Sequence, residues 1–148
     1  MSNENAILSS ELINFLQGER IVTLVTIDKE TNKPTCSTIS WLIAKEDQRT
    51  IKFAVGHNAS SAENIMENPN VLLNVIGPDS SYEISGTGEV SEIYKGKMKF
   101  RVVTVDAEAV NDIMFYGGKI TSVPSYEKTY DMELAKQLDS EIYEKLKQ

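Results

Sequence analysis

The sequence predicts a mainly β protein: a small antiparallel barrel of six or seven strands with two or three capping helices. Three observations carry this. Strand-length β-branched runs recur from Arg20 to Val123. The turns between the early runs, KETNK and KEDQR, are short and charged, which favours antiparallel neighbours over βαβ crossovers. Helical periodicity is confined to segments near the start, after the third run and at the end. At 148 residues, with no internal repeat or long linker, the chain reads as one domain spanning 1–148.

The first helix is expected over Ser10–Gln17. Leu8, Leu12, Phe15 and Leu16 share a face, Glu11 lies in the first turn and Gly18 suits the C′ position. Strands follow at Arg20–Asp28, Thr35–Ala44 and Thr50–Val55. A second helix is expected over Ser60–Glu67, stopped by Asn68-Pro69, and then a nearly continuous apolar strand over Asn70–Ile76. In Tyr82–Ile93, Tyr82, Ile84, Gly86, Gly88 and Val90 alternate with polar residues, and the two inward glycines suggest tight curvature. Lys95-Gly96-Lys97 turns the chain into a long strand, Lys99–Phe115, with a bulge or helical turn expected within Asp106–Val110. Tyr116-Gly117-Gly118 reads as a hairpin into a last strand, Lys119–Val123. From about 131 to 147 the pattern is helical, capped by Asp131, with Leu134, Leu138, Ile142 and Leu146 as a packing stripe.

Composition removes several classes of function. A net charge of −7 opposes nucleic-acid binding, which calls for a basic face. The apolar runs are strand-sized, short of the ~18 residues of a membrane span. MSNENAILSS lacks the basic and apolar regions of a signal peptide, so a cytoplasmic location is expected. Cys36 is the only cysteine and His57 the only histidine, leaving no internal disulfide and no cluster suited to a metal. Gly86-Thr87-Gly88 lacks the third glycine of a dinucleotide fingerprint, and Gly117-Gly118-Lys119 is not followed by the serine or threonine of a phosphate loop.

The segment Phe53–Val71, FAVGHNASSAENIMENPNV, carries the strongest functional signal. It reads as a strand running into a helix, with Asn58, Ser60 and Ser61 at the junction. Free N–H groups at a helix start favour an anion, and small polar side chains add hydrogen bonds. The same residues also make an ordinary N-cap.

In order, the chain holds Leu24-x-Thr26-x-Asp28, a polar turn to Pro34, Ser37-x-x-Ser40-Trp41, then Phe53-Ala54-x-Gly56, Asn64, Asn68-Pro69 and Val71. This ordered set resembles the FMN-binding split-barrel family, the pyridoxamine 5′-phosphate oxidase-like superfamily with its general stress proteins and small flavin reductases. The resemblance covers roughly residues 8 to 126. It implies a Greek-key split β-barrel, working as a homodimer with its cofactor site at the subunit interface. It places the isoalloxazine ring of FMN against Ser37, Thr38, Ile39 and Ser40, and the phosphate near Val55, His57, Asn58, Ser60, Ser61 and Asn64. Family members carry Arg or Lys where this chain has Ser60 and Ser61, so either Lys52, Arg101 or Lys119 supplies the positive charge, or the chain binds flavin poorly or has changed ligand. Trp41 is expected in the core or a dimer interface, and the region of Tyr116 and Tyr126 as a second wall.

The function implied is a small FMN-dependent reductase or oxidase, with NADH or NADPH as candidate reductant and no dedicated acid–base residue. Authentic pyridoxamine-phosphate oxidation is not expected, because the end of the chain lacks the arginine-containing substrate motif. The alternative is a non-catalytic flavin- or haem-binding protein of the same fold in a storage or stress role.

Overall fold

The computed structural model describes residues 6–148. Among them, three helices and eight strands follow in the order α1 (Ser10–Phe15), β1 (Val22–Ile27), β2 (Pro34–Ile39), β3 (Leu42–Ala44), β4 (Thr50–Gly56), α2 (Ser60–Glu67), β5 (Asn70–Ile76), β6 (Ser81–Val90), β7 (Tyr94–Lys95), β8 (Lys99–Asp112) and α3 (Met132–Leu146). All strand pairs are antiparallel, in the order β2-β1-β5-β6-β8-β4-β3, and β7 pairs only with β8.

One feature of this order decides the shape. Strands β2 and β3 are the two outer edges of the main sheet path, yet only Ser40 and Trp41 separate them in sequence. The three virtual bonds from Ile39 to Leu42 span at most about 11 Å. The sheet therefore curls until its edges nearly meet, and Ser40-Trp41 bridges the gap. This is a split barrel.

Inward residues of the curled sheet make the main core: Leu24 from β1, Ile51 and Phe53 from β4, Leu73 and Val75 from β5, Ile84 from β6, Val103 and Val105 from β8. Leu8, Leu12 and Leu16 from α1 and its flanks join this core, and the Ala44 amide donates to the Leu16 carbonyl at 2.8 Å. Helix α2 adds Ala62 and Ile65. A second, smaller cluster lies between α3 and the sheet, joining Ile142 and Leu146 to Ile43, Ala54, Phe100 and Val102.

Curvature is concentrated where expected. The β6–β8 register shifts between Ser85 and Gly86, leaving Glu108 as the extra residue of a bulge. A Cβ at Gly86 would collide with the Asp106 carbonyl oxygen, so only glycine allows this approach.

Four sequence expectations need correcting. Thr35–Ala44 is two strands, not one, because the chain crosses the split at Ser40-Trp41. Lys119–Val123 is not a strand; residues 113–131 carry neither helix nor strand, and the sheet offers this segment no partner. Helix α1 stops at Phe15, where Leu16 takes the cap, rather than at Gln17. In α3 the stripe is Ala135, Leu138, Ile142 and Leu146; Leu134 is exposed. Helix α2 and the Asp131 cap match the sequence reading, the Asp131 carboxylate accepting from the Leu134 amide at 2.8 Å.

Candidate functional site

A cavity of about 490 Å³ opens at the split, within the ordinary range of small-molecule sites, about 300–1,000 Å³. Two walls of different construction enclose it. The first belongs to the sheet: Ser37 to Trp41, with Ala54, Val55 and Gly56 from β4, then Ala59 and Ser61 at the start of α2. The second is an irregular strap, Tyr126 to Tyr130.

On the sheet wall, Ser37 and Thr38 are exposed while Ile39 and Val55 are buried, giving hydroxyls beside an apolar floor. Trp41 is half-buried against the α3 cluster; its indole Nε1 donates to Asp139 Oδ1 at 2.8 Å, and its carbonyl accepts from the Ala54 amide at 2.9 Å. Gly56 stands out. Its φ is not positive, and a Cβ built there meets no atom within 4 Å. Neither backbone geometry nor packing requires glycine here, and the space beside it is open to the cavity.

Helix α2 begins in an unusual way. Its N-cap is Ala59, which makes no side-chain cap hydrogen bond, so no side chain caps the first-turn N–H groups. None of Asn58, Ser60 and Ser61 takes the cap position, and the Ala59 amide closes a turn on the Gly56 carbonyl at 3.0 Å.

The structure gathers Ser37, Thr38, Ile39, Ser40, Val55 and Ser61 around one cavity. It sets four other candidates outside the lining. His57 and Asn58 occupy the preceding turn, where the His57 amide donates to the Lys99 carbonyl at 3.2 Å. Ser60 is exposed on α2. Asn64 is buried and fastens α2 to the sheet: its Nδ2 donates to Thr26 Oγ1 and its Oδ1 accepts from the Lys29 amide, both at 3.1 Å.

The three candidate cations separate clearly. Lys52 donates to the Gln148 carbonyl at 2.8 Å, and Lys119 is exposed beside Ile120, whose amide donates to the Asp79 carbonyl at 2.8 Å. Arg101 reaches the strand-to-helix junction: Nε donates to the His57 carbonyl at 3.3 Å and Nη1 to the Ser91 carbonyl at 2.9 Å. Of the three, it is the one tied to the turn before α2.

The strap supplies residues that the sequence mostly concealed. Tyr126 Oη lies 2.8 Å from Glu19 Oε2 and 3.1 Å from Ser40 Oγ. Lys128 Nζ lies 3.2 Å from Asp139 Oδ1, the oxygen that also accepts from Trp41, and 3.9 Å from Glu19 Oε1. Burial works against the Lys128 charge, but the Asp139 hydrogen bond and the attractions of Tyr126, Asp139 and Glu19 outweigh it and raise its pKa. Burial raises the Tyr126 pKa, with the Ser40 contact opposing and Glu19 reinforcing, so the phenol stays protonated at neutral pH. Tyr143, just behind Ser40, is raised strongly, chiefly by burial. Only Tyr126 carried a sequence signal; Lys128 had none.

Among the described residues, no group of three or more His, Cys, Asp and Glu side chains is arranged to hold a metal ion, and no hydrogen bond joins Cys36 to His57.

The pyridoxamine 5′-phosphate oxidase family model matches residues 8–113, and the chain belongs to that family. No curated protein sequence matches it. Solved structures share the fold at low identity. HupZ from Group A Streptococcus is 14% identical, with a TM-score of 0.62 over 78% of this chain and 100% of that one. General Stress Protein 26 from Bacillus anthracis is 14% identical, with a TM-score of 0.53 over 66% and 88%. HutZ from Vibrio cholerae, described as a haem storage protein, is 14% identical, with a TM-score of 0.54 over 72% and 94%. Among the described residues, no helix is long and apolar enough to cross a membrane.

Proposed function

We propose that the cavity at the split binds FMN and that the protein is a small flavin-dependent oxidoreductase. The observation that carries this is Gly56, a cavity-lining glycine that neither its backbone nor its neighbours require. The other wall features fit the same ligand. Ser37, Thr38 and Ser40 offer hydroxyls to the ring's polar edge, and Ile39, Ala54 and Val55 give an apolar bed. The α2 start, with its uncapped N–H groups and the Ser61 hydroxyl, suits a phosphate. Arg101, tied to the turn before α2, is the candidate cation in place of the basic residues absent at Ser60 and Ser61. A charge-assisted contact contributes about 1.5–3 kcal/mol. Its loss from those positions weakens affinity by one to two orders of magnitude.

Bound FMN would supply hydride or electron transfer, and the chain's share is to orient the ring and exclude water. The working form is a homodimer. The face of β1, β2 and β5 turned away from the core presents Val25, Ile27, Leu72, Pro34 and Cys36, part-buried or exposed in the single chain. A second copy laid on that face would cover these side chains.

The absorption spectrum of the purified protein, with released ligand identified by mass, tests the assignment. A flavin spectrum bleached by NADH or NADPH supports the oxidoreductase; a flavin spectrum that neither reductant bleaches supports the carrier. A haem band, or no chromophore and no uptake of added FMN, overturns it.

A further inference from the structure

Resting on the flavin reading of the cavity, this inference concerns the direction of one hydrogen bond. Ser40 sits on the bridge across the split and is gripped from behind. Its carbonyl accepts from the Leu42 amide at 2.8 Å and from Tyr143 Oη at 3.3 Å. Tyr143 Oη in turn accepts from the Glu19 amide at 3.1 Å. The Ser40 hydroxyl, by contrast, lines the cavity and touches only Tyr126 Oη among the described residues, at 3.1 Å.

Tyr126 Oη has a second partner, Glu19 Oε2 at 2.8 Å. A phenol owns one hydrogen, and a carboxylate can only accept. That hydrogen therefore goes to Glu19, the shorter and charge-assisted contact. The bond to Ser40 must then use the serine's own hydrogen, so Ser40 Oγ donates to Tyr126 Oη. What Ser40 has left for the cavity is its lone pairs.

We propose that Glu19 and Tyr126 make Ser40 an obligate acceptor, and that this relay selects ligands whose ring edge presents an imide or lactam N–H. Tyr126 is a positioning residue, acting through Ser40. The flavin's pyrimidine edge carries such a donor at N3, flanked by two carbonyls. A haem edge carries none, so the same relay discriminates between the two ligand classes that this fold suggests.

Quenching of Trp41, the only tryptophan, reports occupancy of the cavity it lines. The experiment titrates FMN and 3-methyl-FMN, and lumichrome and 3-methyllumichrome, into wild type, Tyr126→Phe, Ser40→Ala and the double variant. Methylation removes the N3–H donor, while its bulk is the same for every variant; the lumichromes keep N1–H, so only the FMN pair loses every N–H on this edge. Wild type is expected to prefer the N–H form about tenfold or more. In Tyr126→Phe the serine is free to donate, and the preference narrows severalfold. In the Ser40→Ala background, Tyr126→Phe changes nothing further. An unchanged preference in Tyr126→Phe, or an equal change with and without Ser40, overturns the inference and leaves the flavin reading intact. Discrimination among the lumichromes without FMN binding upholds the inference and overturns the FMN reading. Failure of all four ligands overturns both.

Discussion

The two walls of the cavity are built by opposite means. The sheet wall is held by main-chain ladders: β4 pairs with β8 over seven residues and with β3 over three, and Phe53 behind it is fully buried. Among the described residues, no backbone–backbone hydrogen bond involves residues 121–130. The strap stays in place through side chains, Tyr126 on Glu19 and Ser40, and Lys128 on Asp139 and Glu19. A wall fixed by backbone bonds varies little without unfolding the domain. One fixed by a few side chains can change its chemistry at small cost in stability. In this protein the fold and the polar chemistry of the strap wall are therefore separable.

Substitutions sharpen that contrast, beginning with the sheet. Phe53→Ala empties the core behind β4 and should cost about 3–5 kcal/mol in urea unfolding. A smaller loss would mean that the sheet wall is looser than its packing indicates. Asn64→Ala strands Thr26 Oγ1 and the Lys29 amide, with an expected loss of about 1–3 kcal/mol. An unchanged stability paired with lost FMN binding would instead make Asn64 a ligand contact. On the strap, Lys128→Met should cost only about 1 kcal/mol. It should nevertheless shift Trp41 emission, since Lys128 and Trp41 share one Asp139 oxygen. Equal destabilisation by Phe53→Ala and Lys128→Met would erase the distinction between the walls.

The smallest expected effect concerns pH, at a turn remote from the strap. Asp28 has a lowered pKa, caused first by hydrogen bonds from the Thr31 and Glu30 amides. A carboxyl depressed on folding stabilises the fold above its unfolded pKa, about 3.9, and that contribution disappears as pH falls through the lower folded value. Thermal unfolding of Asp28→Asn should accordingly lose less between neutral pH and pH 3 than wild type does. A parallel decline in the two proteins would show that the turn carries no such linkage.

The legible parts of the sequence were those governed locally. Helix α2 was readable because Ser60 opens a helical pattern that Asn68-Pro69 must end, and the bulge near Asp106–Val110 because small and acidic residues interrupt a β-branched run. What stayed hidden was set across long separations. Thr35–Ala44 reads as one strand; its break at Ser40-Trp41 comes from the curl of the sheet, which puts β2 and β3 at opposite edges of the strand order. Lys119–Val123 has strand composition but no sheet edge to join. Of the small polar residues read at the strand-to-helix junction, Ser61 lines the cavity, while Ser37, Thr38, Ile39 and Ser40 were reached only through the family resemblance. His57, Asn58, Ser60 and Asn64 share the polar character of the lining residues yet lie outside the cavity lining, which composition does not distinguish. Gly56 stood in the quoted motif, but its meaning emerged only when the space around it was known.

That space permits the most direct test. A Cβ at Gly56 meets no atom within 4 Å and faces the open cavity, so Gly56→Leu should fold as wild type does while filling the seat assigned to the flavin. Titration of FMN against Trp41 emission is expected to show saturable quenching in wild type and at least tenfold weaker binding in Gly56→Leu, with unchanged thermal unfolding of the ligand-free proteins. Equal FMN affinity in the two proteins, or no quenching in wild type, would contradict the account.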